Sequence, residues 1–379
     1  MIIMALDHVR DFIHYAAMGS SPTDLRTTTP VLFLTRWVTH ICAPAFAFTA
    51  GMGAFFWWQR GRTRPELSSF LVTRGLWLVV LELTVMQIAY DFNVSLRDPV
   101  FLIVLWVLGA CMILLAALVW LPVRVLAVLS VATIALHNML DRVRPSDFGG
   151  ASWLWNVLHA PGAFRAAGTV VIVAYPLVPW VAVMSLGFVA ARVFLIEDAA
   201  WRRRVLNAAG IACLAGFVVV RAINLYGDPI PWSHQRNAIL TVLSFLNTTK
   251  YPPSLAFLVM TLGPAFLLLA AFDRSALGAS NPVVVFGRVP LFYFVAHFFL
   301  AHIVAAALAL VRYGGAAFGF IFHPFPSMGG PQNLFPRLFG YDLWVAYLVW
   351  ALIVAALYPV CRWFAEVKAS RRSWWVSYV

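Results

Sequence analysis

Residues 101–121 read FLIVLWVLGACMILLAALVWL, a stretch without a single charged or amide side chain. Its length matches the roughly 20 residues an α-helix needs to cross the hydrocarbon of a bilayer. It is apolar on every side, whereas a membrane β-strand would show about ten residues of alternating polarity. The stretch therefore predicts a membrane helix, and the rest of the chain has the same character: of 379 residues, 62% are hydrophobic and 11% charged. Apolar runs between short polar breaks define ten segments, at 1–18, 36–58, 70–90, 100–120, 123–140, 168–194, 206–226, 253–272, 283–311 and 343–361. The expected fold is an all-α integral membrane protein with about ten transmembrane helices in one bundle, a single domain over 1–379.

The formal net charge is +12, but no soluble basic segment exists to bind nucleic acid, and the arginines lie mainly at segment ends. One alternate set of connections holds 13 Lys and Arg in 60 residues and the other holds 9 in 110. The denser set is expected to be cytoplasmic. Both termini then lie inside, in a multi-pass protein of the cell's inner (plasma) membrane, and the long connections rich in Gly, Pro and Trp face outside. Residues 1–6 lack the basic start of a cleavable signal peptide. Cys42, Cys111, Cys213 and Cys361 stand apart in apolar sequence, which predicts neither a disulfide framework nor a CxxC metal site. Trp153, Trp155 and His159 in an outer loop read as interfacial anchors, with a lid over an outward pocket as the alternative. No internal repeat supports an inverted-repeat transporter.

Against this oily background, Asp7, His8, Arg10, Asp11 and His14 crowd the first segment. Ionisable groups at bilayer depth are costly unless paired or wetted, so they mark a working site by default. On a helix they share an arc of about 160°, while Ala5, Leu6, Val9, Phe12 and Ile13 take the other side. Asp7 and Asp11 are i,i+4, and His8 and Asp11 are i,i+3, so a carboxylate can orient an imidazole and raise its basicity. The competing reading is a network that only neutralises itself.

Arg36 and His40 lie one turn apart at the start of the second segment, with Arg36 suited to an anionic group. Snorkelling and helix packing explain the same pair. Asp24, between the two clusters, is free to join either. Glu82 lies deep among apolar residues and is expected to pair, with Arg74 as one partner, or else to relay protons. Tyr293 and His297 are i,i+4 on one face, whereas His302 is turned away, so these two histidines predict no metal site. Lys250, in Thr248-Thr249-Lys250-Tyr251-Pro252-Pro253-Ser254, is either a surface charge or a ligand for phosphate or carboxylate.

In sequence order, the stretches Leu6-Asp7-His8-Val9-Arg10-Asp11, Pro22-Thr23-Asp24-Leu25, Phe33 through Pro44, Lys250-Tyr251-Pro252-Pro253-Ser254 and Arg288-Val289-Pro290-Leu291-Phe292-Tyr293 resemble a bacterial membrane family of unknown function. That family is related to the heparan-alpha-glucosaminide N-acetyltransferase catalytic domain, and the resemblance spans nearly the whole chain. It implies a transmembrane N- or O-acetyltransferase that takes an acetyl group from cytoplasmic acetyl-CoA and delivers it to a sugar amine or hydroxyl at the outer face. No metal cofactor is implied. The central histidine is expected to be His8, then His40, then His14, with Asp7 and Asp11 in support. Arg36, Arg74, Lys250, Arg288, Tyr293 and His297 are the candidates for holding acetyl-CoA.

Members of the family usually begin with further residues of the first helix, so this chain is expected to start inside it. The partners expected are the lipid bilayer and a small-molecule or glycan acceptor, with a homodimer as the assembly considered. Two other classes stay open from the residues alone. One is a proton-coupled secondary transporter using Asp7, His8, Asp11, Glu82 and His297 as a relay; the other is a non-catalytic structural membrane protein.

Overall fold

A computed structural model describes residues 1–93, 99–337 and 339–370. Arg97 and residues 371–379, which enter the loop-charge comparison, lie outside the described residues. Along the chain the helices are α1 (Ile2–Ile13), α2 (Pro30–Thr39), α3 (Cys42–Trp58), α4 (Arg64–Leu81), α5 (Gln87–Asp91), α6 (Val104–Leu118), α7 (Val123–Leu136), α8 (Ser152–Leu158), α9 (Leu177–Ala190), α10 (Ala199–Ile223), α11 (Ala238–Leu246), α12 (Leu255–Arg274), α13 (Pro282–Arg288), α14 (Pro290–Tyr313) and α15 (Leu343–Ser370). Among the described residues, 8 helical stretches, from Pro30–Trp58 to Leu343–Ser370, are long and apolar enough to cross a membrane. The protein is an all-α membrane protein. Two of the ten expected segments form shorter helices: α1 has 12 residues and α6 has 15.

The opening stretch 101–121 is short as a helix because its first residues belong to a strand. Strand β1 (Val100–Leu102) pairs parallel with the third strand, Thr169–Val173, which pairs antiparallel with the second, Gly162–Ala166. Hydropathy alone cannot separate a β-branched run from a membrane helix. Val170, Val171, Ile172 and Val173 are such a run, so the expected segment 168–194 divides into a strand and α9, with Pro176 capping the helix. The segment expected at 283–311 divides in the same way at Val289, because Pro290 opens α14 and removes the backbone donor that would continue α13. In contrast, the segment expected at 70–90 starts earlier, at Arg64, where Thr63 and Glu66 form a reciprocal capping box.

The chain forms two compact units. Unit 1 comprises Met1–Cys42, Thr84–Ser95 and Ala276–Val379, in its described residues. Here α1 packs on α2, α14 and α15. Unit 2 comprises Ala43–Leu83 and Leu96–Ser275. Its helix pairs meet at glycines: Gly51 and Gly187 join α3 to α9, Gly75 and Gly109 join α4 to α6, and Gly210 and Gly263 join α10 to α12. A Cβ on any of these would run into the facing helix. Such close approach supplies the packing that holds helices together where lipid gives no hydrophobic drive.

Candidate functional site

Helix α1 is fixed by its apolar stripe. Ala5, Leu6, Val9, Phe12 and Ile13 are all buried, and Phe12 meets Phe298 at 5.3 Å and Phe325 at 5.0 Å between ring centroids. The stripe therefore rests on protein within unit 1, which turns the charged face of α1 toward α2 and α14.

On that face Arg10, only 1% exposed, places Nη2 3.0 Å from Asp7 Oδ1 and 2.5 Å from Asp11 Oδ1. Arg36 of α2 closes an ion pair on the other oxygen of Asp7. Two carboxylates thus balance two guanidiniums, the condition under which buried charge is tolerated. The network is not saturated: Arg10 Nε and Nη1 have no hydrogen-bond partner among the described residues.

His8 is half-buried beside this network, with its ring 5.3 Å from His297 and 4.7 Å from Phe298. His297 is fully buried, and its Nδ1 lies 2.8 Å from the carbonyl oxygen of Tyr293. A carbonyl only accepts, so Nδ1 carries the hydrogen and Nε2 presents a lone pair. That Nε2 has no hydrogen-bond partner among the described residues, nor has the hydroxyl of Tyr293, whose ring stacks 5.1 Å from His297. His302 bonds the Ala89 carbonyl at 2.8 Å and is stacked between Phe92 and Phe12; its Nε2, like that of His297, has no hydrogen-bond partner among the described residues, but its ring lies away from His8.

At the end of α1 the backbone of residues 13–15 pairs with Tyr341 and ends the helix. His14, its Nδ1 accepting from the Ala16 N–H, then lines a cavity of about 380 Å³ together with Tyr15, Ser20, Thr27, Thr29 and Asp342. A mixed polar and apolar lining and a size within the ~300–1,000 Å³ of ordinary ligand pockets suit a small molecule.

Unit 1 thus gathers Asp7, His8, Asp11, Arg36, Tyr293 and His297, with His14 at the cavity. His40 is buried at the C-cap of α2, one turn beyond Arg36, and Arg288 is exposed at the end of α13. Asp24 is held at the surface, where Arg26 bonds both of its carboxylate oxygens.

The remaining candidates belong to unit 2. Arg74 lies over Phe70, and Lys250 lies 5.1 Å from the Tyr251 ring and 6.0 Å from that of Tyr175. Glu82, fully buried, accepts from the backbone N–H groups of Leu105 at 2.7 Å and Trp106 at 3.1 Å. It caps α6 through those two N–H groups.

Sequence reasoning also missed Asp228. This residue accepts from Thr249 and Ser254 and sits 3.9 Å from the buried Arg221, so it organises the Lys250 motif from a distance. The available signal was Arg221 itself, an arginine inside an apolar run. Asp342 was missed because a carboxylate before a helix reads as an ordinary start signal.

Fold and site together define a polytopic helical membrane protein with a buried site of imidazoles, carboxylates and guanidiniums. The family profile described as heparan-alpha-glucosaminide N-acetyltransferase, catalytic, matches residues 1–221, and the chain belongs to that family. Membership suggests a membrane acetyltransferase. The matched span contains α1, Arg36, His40 and Arg74, while Lys250, Arg288, Tyr293 and His297 lie beyond it. Comparison with curated proteins and with solved structures gives no match.

Proposed function

We propose that the protein is a membrane-bound acyltransferase of the inner (plasma) membrane, moving an acetyl group from cytoplasmic acetyl-CoA to a sugar amine or hydroxyl at the outer face. The observation that carries this reading is the His8–His297 pair, 5.3 Å apart, in which His297 offers a buried lone pair and His8 stands beside the Asp7, Arg10 and Asp11 network. In the chemistry envisaged, the acceptor nitrogen or oxygen bonds to the thioester carbonyl carbon and its proton passes to His8. The C–S bond then breaks, and the departing thiolate recovers the proton as CoA. An imidazole placed next to a carboxylate is suited to such transfer, and Asp11, three residues on from His8 along α1, is the carboxylate on the same helix face.

With both termini cytoplasmic, the His14 cavity lies toward the outer side, where Asp342 and the hydroxyls of Ser20 and Thr27 suit a sugar. The free donors of Arg10 and the exposed Arg288 are the unit 1 groups fitted to the anionic donor; Arg74 and Lys250 remain candidates in unit 2, and His40 is the second choice of base.

The test uses the full chain in nanodiscs with acetyl-labelled acetyl-CoA and a panel of amino sugars and sugars. Label should move to one acceptor, and His8→Ala should lower the rate by about 10²- to 10⁴-fold, the range for losing a general base. Proton-dependent solute flux without an acyl donor, in a protein that neither binds nor cleaves acetyl-CoA, would refute the proposal in favour of transport.

A further inference from the structure

Unit 2 holds a second cluster of ionisable side chains that the acyl-transfer reading does not use. His137 and Asp141 lie on the short helical turn His137–Arg142 that follows α7, and His159 ends α8. One ligand atom from each lies within 4.8 Å of the others. His137 and His159 are 2% and 1% exposed. His159 Nε2 is 3.0 Å from Asp141 Oδ1, and the His137 ring stands edge-on to that of His159 at 5.8 Å.

Hydrogen bonding leaves this cluster incomplete. Neither ring nitrogen of His137 has a partner among the described residues, and neither does His159 Nδ1. Buried polar groups are almost always satisfied, so an imidazole with both nitrogens idle points to a missing partner. Asp141 is already aimed. Asn138 Nδ2 donates to its Oδ2 at 2.7 Å, while Asn138 Oδ1 accepts from the backbone of Leu255 at 2.8 Å, which leaves Oδ1 for His159. Outer hydrogen bonds of this kind orient metal ligands.

We propose that His137, Asp141 and His159 form a binding site for a divalent transition-metal ion of the zinc class. Two imidazoles and one carboxylate are a borderline-soft set of the kind zinc accepts, with a fourth, open position for water. Ligands on a tetrahedral zinc at about 2.0–2.1 Å stand roughly 3.3 Å apart, close to the His159–Asp141 separation, so a shift of His137 by at most about 1.5 Å completes the set. The ion would tie the end of α7 to the loop that follows α8. Sequence reading overlooked it because the three residues are not spaced as a motif: His137 and Asp141 share one turn, and His159 comes from another element.

The experiment uses the tag-free full chain in detergent, stripped with a chelator and titrated with Co²⁺ alone, then with Zn²⁺ as competitor. One equivalent of Co²⁺ should bind with the intense visible bands of a four-coordinate ion, and Zn²⁺ should displace it. His137→Ala and Asp141→Asn should abolish the bands. Asn138→Ala, which removes only the orienting bond, should weaken binding by about 10- to 100-fold and guards against a ligand variant that fails to fold. No binding by the wild-type chain at micromolar metal, or binding unchanged in His137→Ala and Asp141→Asn, overturns the proposal.

Discussion

Two buried arginines, one in each unit, use their donors differently. In unit 2, Arg221 donates from Nε to Phe245, from Nη1 to Ile230 and from Nη2 to Ser244 and Asn247, all backbone carbonyls, with Asp228 at 3.9 Å. In unit 1, Arg10 places one nitrogen between Asp7 and Asp11 and leaves the other two without hydrogen-bond partners among the described residues. Both are 1% exposed, so burial does not distinguish them. Saturation does. A guanidinium tied to backbone at each nitrogen holds a loop in place, whereas one with spare donors is a candidate for holding a ligand.

The largest test of this contrast is His297→Phe. Phenylalanine keeps the stack on Tyr293 and removes Nε2, the lone pair beside the base His8, so acetyl transfer should fall, by less than the ~10²- to 10⁴-fold expected for loss of His8 itself, while the midpoint of thermal unfolding stays near that of the wild type. A variant that loses stability and keeps its rate per folded molecule would make unit 1 as structural as unit 2. Arg221→Met is the converse experiment. It strands Asp228 and four carbonyls, and removing one partner of a buried pair costs ~3–5 kcal/mol. Unfolding in detergent should register that loss, with transfer declining only as the folded fraction declines.

How much of this was legible without coordinates follows from what each pattern encodes. The apolar run at 101–121 announced membrane helices, because hydropathy reports the solvent of a segment directly. It misjudged how much of the run was helix, because Val100–Leu102 owes its strand to pairing with residues about 70 positions away. The charged face of α1 was legible from helical spacing alone. His297 was legible only as a neighbour of Tyr293; its approach to His8 is a contact across nearly the whole chain, and no periodicity carries such information. His137, Asp141 and His159 escaped for the same reason.

A smaller effect is expected at Glu82. Loss of a helix N-cap acceptor costs ~0.5–2 kcal/mol, so Glu82→Ala should lower the unfolding midpoint modestly. Glu82→Gln should lower it less, since the amide oxygen still accepts from Leu105 and Trp106. Abolished activity in Glu82→Gln at unchanged stability would make Glu82 a working residue rather than a cap.

The smallest effect belongs to Asp24, whose motif resembles the family while its side chain serves a surface turn. Hydrogen bonds from Arg26 hold its carboxyl below the ordinary carboxylate value. Because the folded form is the stronger acid, the stabilisation is complete above the unfolded value of about 3.9 and is lost as pH falls through the lower folded value. Asp24→Asn should therefore narrow the stability difference between pH 7 and pH 3 slightly, an effect that salt screens because Arg26 is exposed. Transfer at neutral pH should not change, since Asp24 is already saturated by its neighbour. If that variant instead loses transfer while folding normally, a saturated carboxylate has proved functional, and saturation no longer separates the working residues of unit 1 from the structural ones.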